Sequence, residues 1–328
     1  MSKKLLSVFV SLTVLLTVAF VSVPGVASGQ TVLKLAHITA PGGMLDKRAQ
    51  KFAELVAAKT GGKVKIEIYP AQQLGNVKEI LQGISMGTID MAQESESFMD
   101  AFDKDYAFFA TPFLFTRDEI RTNKYIDEIR ERVRAKTGIR TLPGFAFRPQ
   151  VHLFTQKTQI IRPDELKSIK LRVWQSKALV DTWNGLGATA VPLPWGEVYL
   201  ALSQKVVNGM VHNIVQVRDE KFFEQLNYCT KLDWMQLYDV TWINDKKFKA
   251  LPADVQKALS EASLESANWF VDFGQGLEKE AQAQLEKAGI KFANGDRPVW
   301  VKKAQAIHIK LENEGLWTKG LLKKNNKI

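Results

Sequence analysis

Arg172 stands inside a short apolar run, Leu171-Arg172-Val173-Trp174, that reads as a strand. Arginine keeps its charge in proteins, so a half-buried guanidinium must meet a carboxylate, supplied by the chain, with Glu197 as one candidate, or by a ligand. Its planar fork of N–H donors takes a carboxylate through two parallel hydrogen bonds, a geometry lysine cannot copy. A second polar group, Gln93-Glu94-Ser95-Glu96-Ser97, follows Gly87-Thr88-Ile89-Asp90 and is expected to form a loop at a strand's C-terminal end, where α/β sheets place ligands. Glu94 and Ser95 are therefore candidates to orient a ligand. Nucleophile elbows, zinc-protease helices, phosphate loops and dinucleotide fingerprints are missing from the sequence. Thr60-Gly61-Gly62-Lys63 only superficially matches a phosphate loop, because it follows a helix and lacks the upstream glycine. Without a nucleophile and base or a cofactor motif, neither an enzyme nor a cofactor is expected.

These side chains must be positioned by regular elements, and the apolar spacing predicts them. Val32 to His37 and Lys63 to Tyr69 alternate as strands, and Leu45 to Thr60 between them has helical spacing with a stop at Gly61-Gly62. Strand, helix, strand at this spacing predicts a parallel βαβ unit. A helix is expected over Val77 to Met86, another over Arg117 to Lys136, and a strand over Arg140 to Phe147. Arg148-Pro149 then leads into the strand Val151 to Thr155, read as the first crossover into a second α/β lobe. Helices are also expected before Leu186 and from Glu197, and Leu251-Pro252-Ala253-Asp254 opens a long one to Ala288, with a break at Gly274 and Gly276. The lysine-rich tail to Ile328 is expected to fray.

Composition sets the class. With 328 residues, 45% hydrophobic and 24% charged, the chain suits two folded domains rather than one core. Lys3 and Lys4, an apolar run from Leu5 to Val23 and the small residues Ala27-Ser28-Gly29 predict a secretory signal peptide over 1–29, and hence a periplasmic protein. The formal charge of +10 falls to +8 once Lys3 and Lys4 leave with a leader that carries no acid. A positive field favours anionic ligands, and the scattered basic residues do not suggest nucleic acid. The lone Cys229 allows no internal disulfide and reads as a buried small hydrophobe.

Several runs together resemble the DctP-type solute-binding proteins of TRAP transporters. They are K-T-G-G-K-V-K-I-E-I-Y-P-A-Q-Q-L-G at 59–75, G-T-I-D-M-A at 87–92, T-P-F-L-F at 111–115 and the stretch D-E-L-K-S-I-K-L-R-V-W at 164–174 that ends just past Arg172. The resemblance implies an α/β, two-lobe periplasmic-binding-protein-like fold, with a ligand cleft between the lobes and a long C-terminal helix spanning both. On this chain lobe I would be 30–149 plus about 238–277, and lobe II 150–237 plus about 278–328. It implies that Arg172 grips the carboxylate of a small organic acid, that the lobes close on it, and that the closed form docks on a TRAP membrane permease.

Trp195, in P-L-P-W-G-E-V-Y, falls where the family places an aromatic over the ligand, and Trp174 replaces a usual proline; both could cover an apolar or aromatic body. The family's second arginine has His152 as its counterpart by spacing, and the common V-D-G-x-E-N reads Val207-Asn208-Gly209-Met210-Val211-His212. His37, His152 and His212 thus fall at cleft positions and are candidates to donate to an anion, neutral or protonated. No carboxylate is spaced beside them, so no metal is expected. The loss of the second arginine beside two tryptophans points to an organic acid with an apolar or aromatic body rather than a sugar acid. An exported histidine- or metal-dependent enzyme, or a ligand-presenting sensor subunit, are the alternatives on the same framework.

Overall fold

A computed structural model describes residues 30–328, so the expected leader over 1–29 lies outside the described residues. The parallel unit at the start forms as its spacing predicts. In β1 (Thr31–Ala36) Leu33 and Leu35 are fully buried, and they pair in parallel with Ile66 and Ile68 of β2 (Val64–Tyr69). Between them the helix Met44–Lys59 buries Leu45, Ala49, Phe52 and Val56 on one face. Full burial of such side chains contributes about 1.5–3 kcal/mol each. The helix stops at Gly61 and Gly62, whose φ values of 59° and 78° suit residues without a Cβ.

The first sheet continues with β3 (Met91–Ser95), β4 (Ile139–Thr141), β5 (Ala146–Phe147) and β11 (Tyr238–Asn244), in the order β2-β1-β3-β11-β4 with β5 beside β11. The second sheet holds β6 (Val151–Thr155), β7 (Lys170–Val173), β8 (Thr189–Pro192), β9 (Gly209–Asn213), β10 (Tyr228–Lys231) and β12 (Lys291–Asn294), in the order β12-β10-β6-β9-β7-β8. The architecture is mixed α/β in two lobes, one built on each sheet. The chain passes between sheets at residues 148–150, again at 232–237, and a third time along the helix Ala253–Lys287. That helix packs on Met44–Lys59, β5 and β11 of the first lobe and on the helix Ile214–Asp219 of the second.

Four expectations need correction. The long helix runs unbroken through Gly274 and Gly276. A Cβ on Gly274 would lie 3.3 Å from Met44 Sδ and from Pro149 Cδ, so this glycine serves close packing rather than a break. The helix expected over 117–136 is two, Arg117–Thr122 and Tyr125–Thr137, because Asn123 leaves the helical region and its Oδ1 accepts from Tyr125 N at 3.0 Å. The strand expected over 140–147 is interrupted at Pro143-Gly144, where Gly144 (φ 113°) lies against the backbone of Ser263 and Leu264. The tail does not fray: Leu321 and Leu322 are buried, and Lys327 Nζ reaches Glu119 at 2.6 Å.

Candidate ligand cleft

The C-terminal ends of β1 and β3 face those of β7 and β9 across a cavity of about 570 Å3, counting its open mouth. Thr39, Glu94, Ser95 and Phe98 line it from the first lobe, and Arg172, Trp174, Leu193, Trp195, His212 and Gln216 from the second. Arg148 lines it from the crossing between them. Glu94 and Ser95 lie in β3 itself, not in a loop beyond it, because β11 pairs antiparallel alongside, Val240 with Glu94 and Asp239 with Ser95. The six residues after Ser95 form a short 3-10 helix, Glu96–Ala101.

Strand alternation sends Leu171 and Val173 to one face of β7 and Arg172 to the other. Arg172 is 2% exposed. Its Nε and Nη2 both donate to the carbonyl of Leu193, at 3.2 and 2.9 Å, and its Nη1 has no partner. No acid is bound to it among the described residues, and Glu197, the internal partner considered above, is exposed. Burial with no compensating carboxylate pulls the guanidinium down to about 9. Its Cζ sits 5.4 Å from the Trp195 ring centroid, whose ring in turn lies 4.7 Å from His212. Trp174, with its buried indole N–H unpaired, stacks on Trp234 at 6.1 Å. An aromatic wall of Trp174 and Trp195 therefore lies beside one uncompensated cation.

Arg148 is different. It is buried, and its Nε donates to both oxygens of Asp239 at 2.9 Å while Nη1 donates to Gln216 Oε1 at 2.7 Å. Its Nη2 reaches Asp239 and, at 3.5 Å, Glu94. Those acids raise its pKa against the opposing effect of burial. Behind it Arg48, buried and pulled down to about 10 by that burial, donates to the Val240 carbonyl and to Thr241 Oγ1. Sequence spacing had offered His152 as the counterpart of the family's second arginine. The cleft does hold a second arginine, Arg148, supplied from the crossing segment rather than from that position. The one available signal was its place beside Pro149, where the strand run stops.

The three histidines part company. His212 lines the cavity. Asn213 Oδ1 accepts from Gln216 N, which fixes the Asn213 amide so that its Nδ2 donates to Gln216 Oε1 at 2.8 Å and to His212 Nδ1 at 3.3 Å. A ring nitrogen that accepts leaves the proton of neutral His212 on Nε2. Burial, then the charges of Arg148 and Arg172, hold His212 well below the usual histidine range. It is thus a neutral donor, not an imidazolium. Gln216 Oε1, accepting from both Arg148 and Asn213, leaves its own amide N–H groups as donors.

His37 and His152 are not in the lining. His37 turns back to Asp46 (3.1 Å) and Thr39 (3.2 Å) in its own lobe. His152 lies opposite His212 in the β6–β9 pair, but β9 separates its strand from that of Arg172, so its strand stands two spacings, ~10 Å, from β7. Its Nδ1 accepts from Leu232 N at 3.4 Å, with Asp233 and Glu278 at 3.6 and 3.9 Å. Among the described residues no group of three or more His, Cys, Asp or Glu side chains is arranged to hold a metal.

Residues 35–314 match the family model of the bacterial extracellular solute-binding proteins, family 7, or DctP. The chain is 29% identical over 297 residues to the C4-dicarboxylate-binding periplasmic protein DctP of Rhodobacter capsulatus, covering 88% of each. It is 26% identical over 275 residues to a solute-binding protein of Roseobacter denitrificans, covering 81% of this chain and 82% of that one. A crystal structure of a TRAP periplasmic solute-binding protein from Sulfurospirillum deleyianum with bound succinate superposes with a TM-score of 0.82 at 23% identity, over 91% of this chain and 99% of that one. Another, from Roseobacter denitrificans with bound L-galactonate, does so with a TM-score of 0.80 at 24% identity, over 86% and 94%. With the matched region spanning both lobes and the cleft, the chain belongs to the DctP family of bacterial extracellular solute-binding proteins.

Proposed function

We propose that this TRAP-type solute-binding protein captures a small organic carboxylate between its lobes, with Arg172 as the main contact, and delivers it to a TRAP membrane permease. The observation that carries this reading is a buried guanidinium with an unpaired Nη1 and no acid of its own. An anion supplied by a ligand would complete it, through charge-assisted hydrogen bonds. His212 and Gln216 add neutral donors, Trp174 and Trp195 cover the ligand body, and Ser95 and Glu94 frame the opposite wall. His37 and His152 act as structural residues. The lobes comprise 30–149 with about 238–277, and 150–237 with about 278–328, the last boundary falling inside the long helix. They close as rigid bodies on the ligand. The protein acts in the periplasm, as its family members do, after loss of a leader over 1–29, and performs no chemistry itself.

The test is calorimetry on wild type and variants with the acid carried through native purification, identified by mass spectrometry. Losing one partner of a buried charge pair commonly costs about 2–5 kcal/mol. Arg172→Ala is therefore expected to weaken binding by roughly thirtyfold or more, with Arg172→Lys recovering part. Wild-type affinity in a folded Arg172→Ala protein would remove Arg172 from the site.

A further inference from the structure

We infer that the cleft selects acids carrying a single negative charge over dicarboxylates, and that Glu94 sets this limit. The inference rests on the reading of Arg172 as the carboxylate contact. Three charged side chains line the cavity, Arg148, Arg172 and Glu94. The two buried charges directly behind them, Asp239 and Arg48, are of opposite sign. Every described hydrogen bond to Glu94 comes from a donor: Ile38 N at 3.1 Å, Ser95 N at 3.4 Å and Arg148 Nη2 at 3.5 Å. Burial, helped by the charge of Asp239, raises the Glu94 pKa against the opposing Arg148 guanidinium and Ile38 N–H, but a donor-only set suits the ionised carboxylate and offers no acceptor for a carboxylic proton. Arg148 is committed to Asp239, Glu94 and Gln216 through all three of its nitrogens. The lining therefore carries one positive charge in excess, and it resides on Arg172.

A monoanion neutralises that charge. A second ligand carboxylate would find only neutral amides and hydroxyls, such as Gln72, Asn76 and Thr39, and would stand in the field of Glu94. A neighbouring depression that shares Ile38, Gln72 and Trp195 with the cleft holds a further acid, Glu220, which accepts from Ala40 N at 2.9 Å. Like charges within a few Å in a partly buried setting repel strongly enough to lower affinity on the order of a hundredfold. The rest of the lining, with Phe98, Trp174, Leu193, Pro194, Trp195 and Leu237, suits an apolar or aromatic body.

The experiment uses full-length mature protein stripped of its ligand, and calorimetry with matched acids: hexanoate against adipate, and 3-phenylpropanoate against phenylsuccinate. Mass spectrometry of the acid carried through native purification counts its carboxylates. The expected result is a carried monoacid, and monoacids bound about a hundredfold more tightly than their matched diacids. Glu94→Gln should narrow that ratio by about tenfold or more, while Glu94→Asp, which keeps the charge, should preserve it. A carried diacid, or diacids bound as tightly as monoacids by wild type, overturns the inference and leaves the carboxylate reading standing, since Arg172→Ala decides that separately. An unchanged ratio in folded Glu94→Gln removes Glu94 as its cause. The wild-type ratio needs no variant, so a misfolded Glu94→Gln does not shelter the proposal. If no acid binds and none is carried, both this inference and the carboxylate reading fail.

Discussion

Arg148 and Arg172 face the same cavity with the same chemistry, and their surroundings make them different residues. Around Arg148 the chain supplies Asp239, Glu94 and Gln216, drawn from β11, β3 and the helix Ile214–Asp219. Around Arg172 it supplies one carbonyl, that of Leu193. The first guanidinium is complete in the folded chain and ties the crossing segment to both lobes. The second is left for a ligand to complete under the function proposed above. One cleft thus holds a cation paired within the fold and a cation without an acid, and what tells them apart is the acid count within bonding distance, not exposure.

The sharpest way to break this contrast is to remove each arginine and follow stability without ligand. Arg148→Ala leaves Asp239 and Glu94 buried and unpaired, which is expected to destabilise the fold by about 3–5 kcal/mol. Thermal unfolding should then fall on the order of 10 °C, with Asp239→Asn added to it restoring part of the loss. Arg172→Met strands no acid and relieves a buried charge, so its unliganded melting temperature should equal or exceed wild type. A fall matching that of Arg148→Ala would show that the two sites are not distinct. At a smaller scale, His212→Gln should cost about 1 kcal/mol of binding, a several-fold loss, as a neutral hydrogen bond does. Because burial and the two arginines hold His212 below its usual range, it stays neutral on both sides of pH 6.5. Wild-type affinity for an acid ionised throughout should therefore be flat from pH 8 to 6, and a rise toward pH 6 that vanishes in His212→Gln would overturn the neutral assignment. Smallest of all, His37→Gln and His152→Gln should leave affinity unchanged.

Where local spacing decides the outcome, the sequence was legible. The opening βαβ unit, the helix Val77–Met86 and the strand with Arg172 follow from apolar period, glycine stops and one misplaced charge. Glu94, Ser95, Trp174, Trp195 and His212 reach the cavity as expected. Arg148 was hidden because the acids that define it stand 54 and 91 residues away. His37 and His152 look no different from His212 in their own runs; Asp46 and the strand order decide their fate. Likewise Glu94 looked like loop because β11, which makes it strand, arrives from more than a hundred residues downstream.

The unbroken helix Ala253–Lys287 has a mechanical consequence. Thirty-five residues make a rod ~52 Å long, seated on both lobes. At Gly274 the absence of a side chain lets this rod touch Pro149, next to Arg148 on the first crossing, and Met44 at the start of the first helix. Rod and crossing therefore share a fulcrum. Lobes that part as proposed would have to bend the helix about that point like a leaf spring, so its elastic stiffness, as well as contacts across the mouth, would set the gape of the cleft.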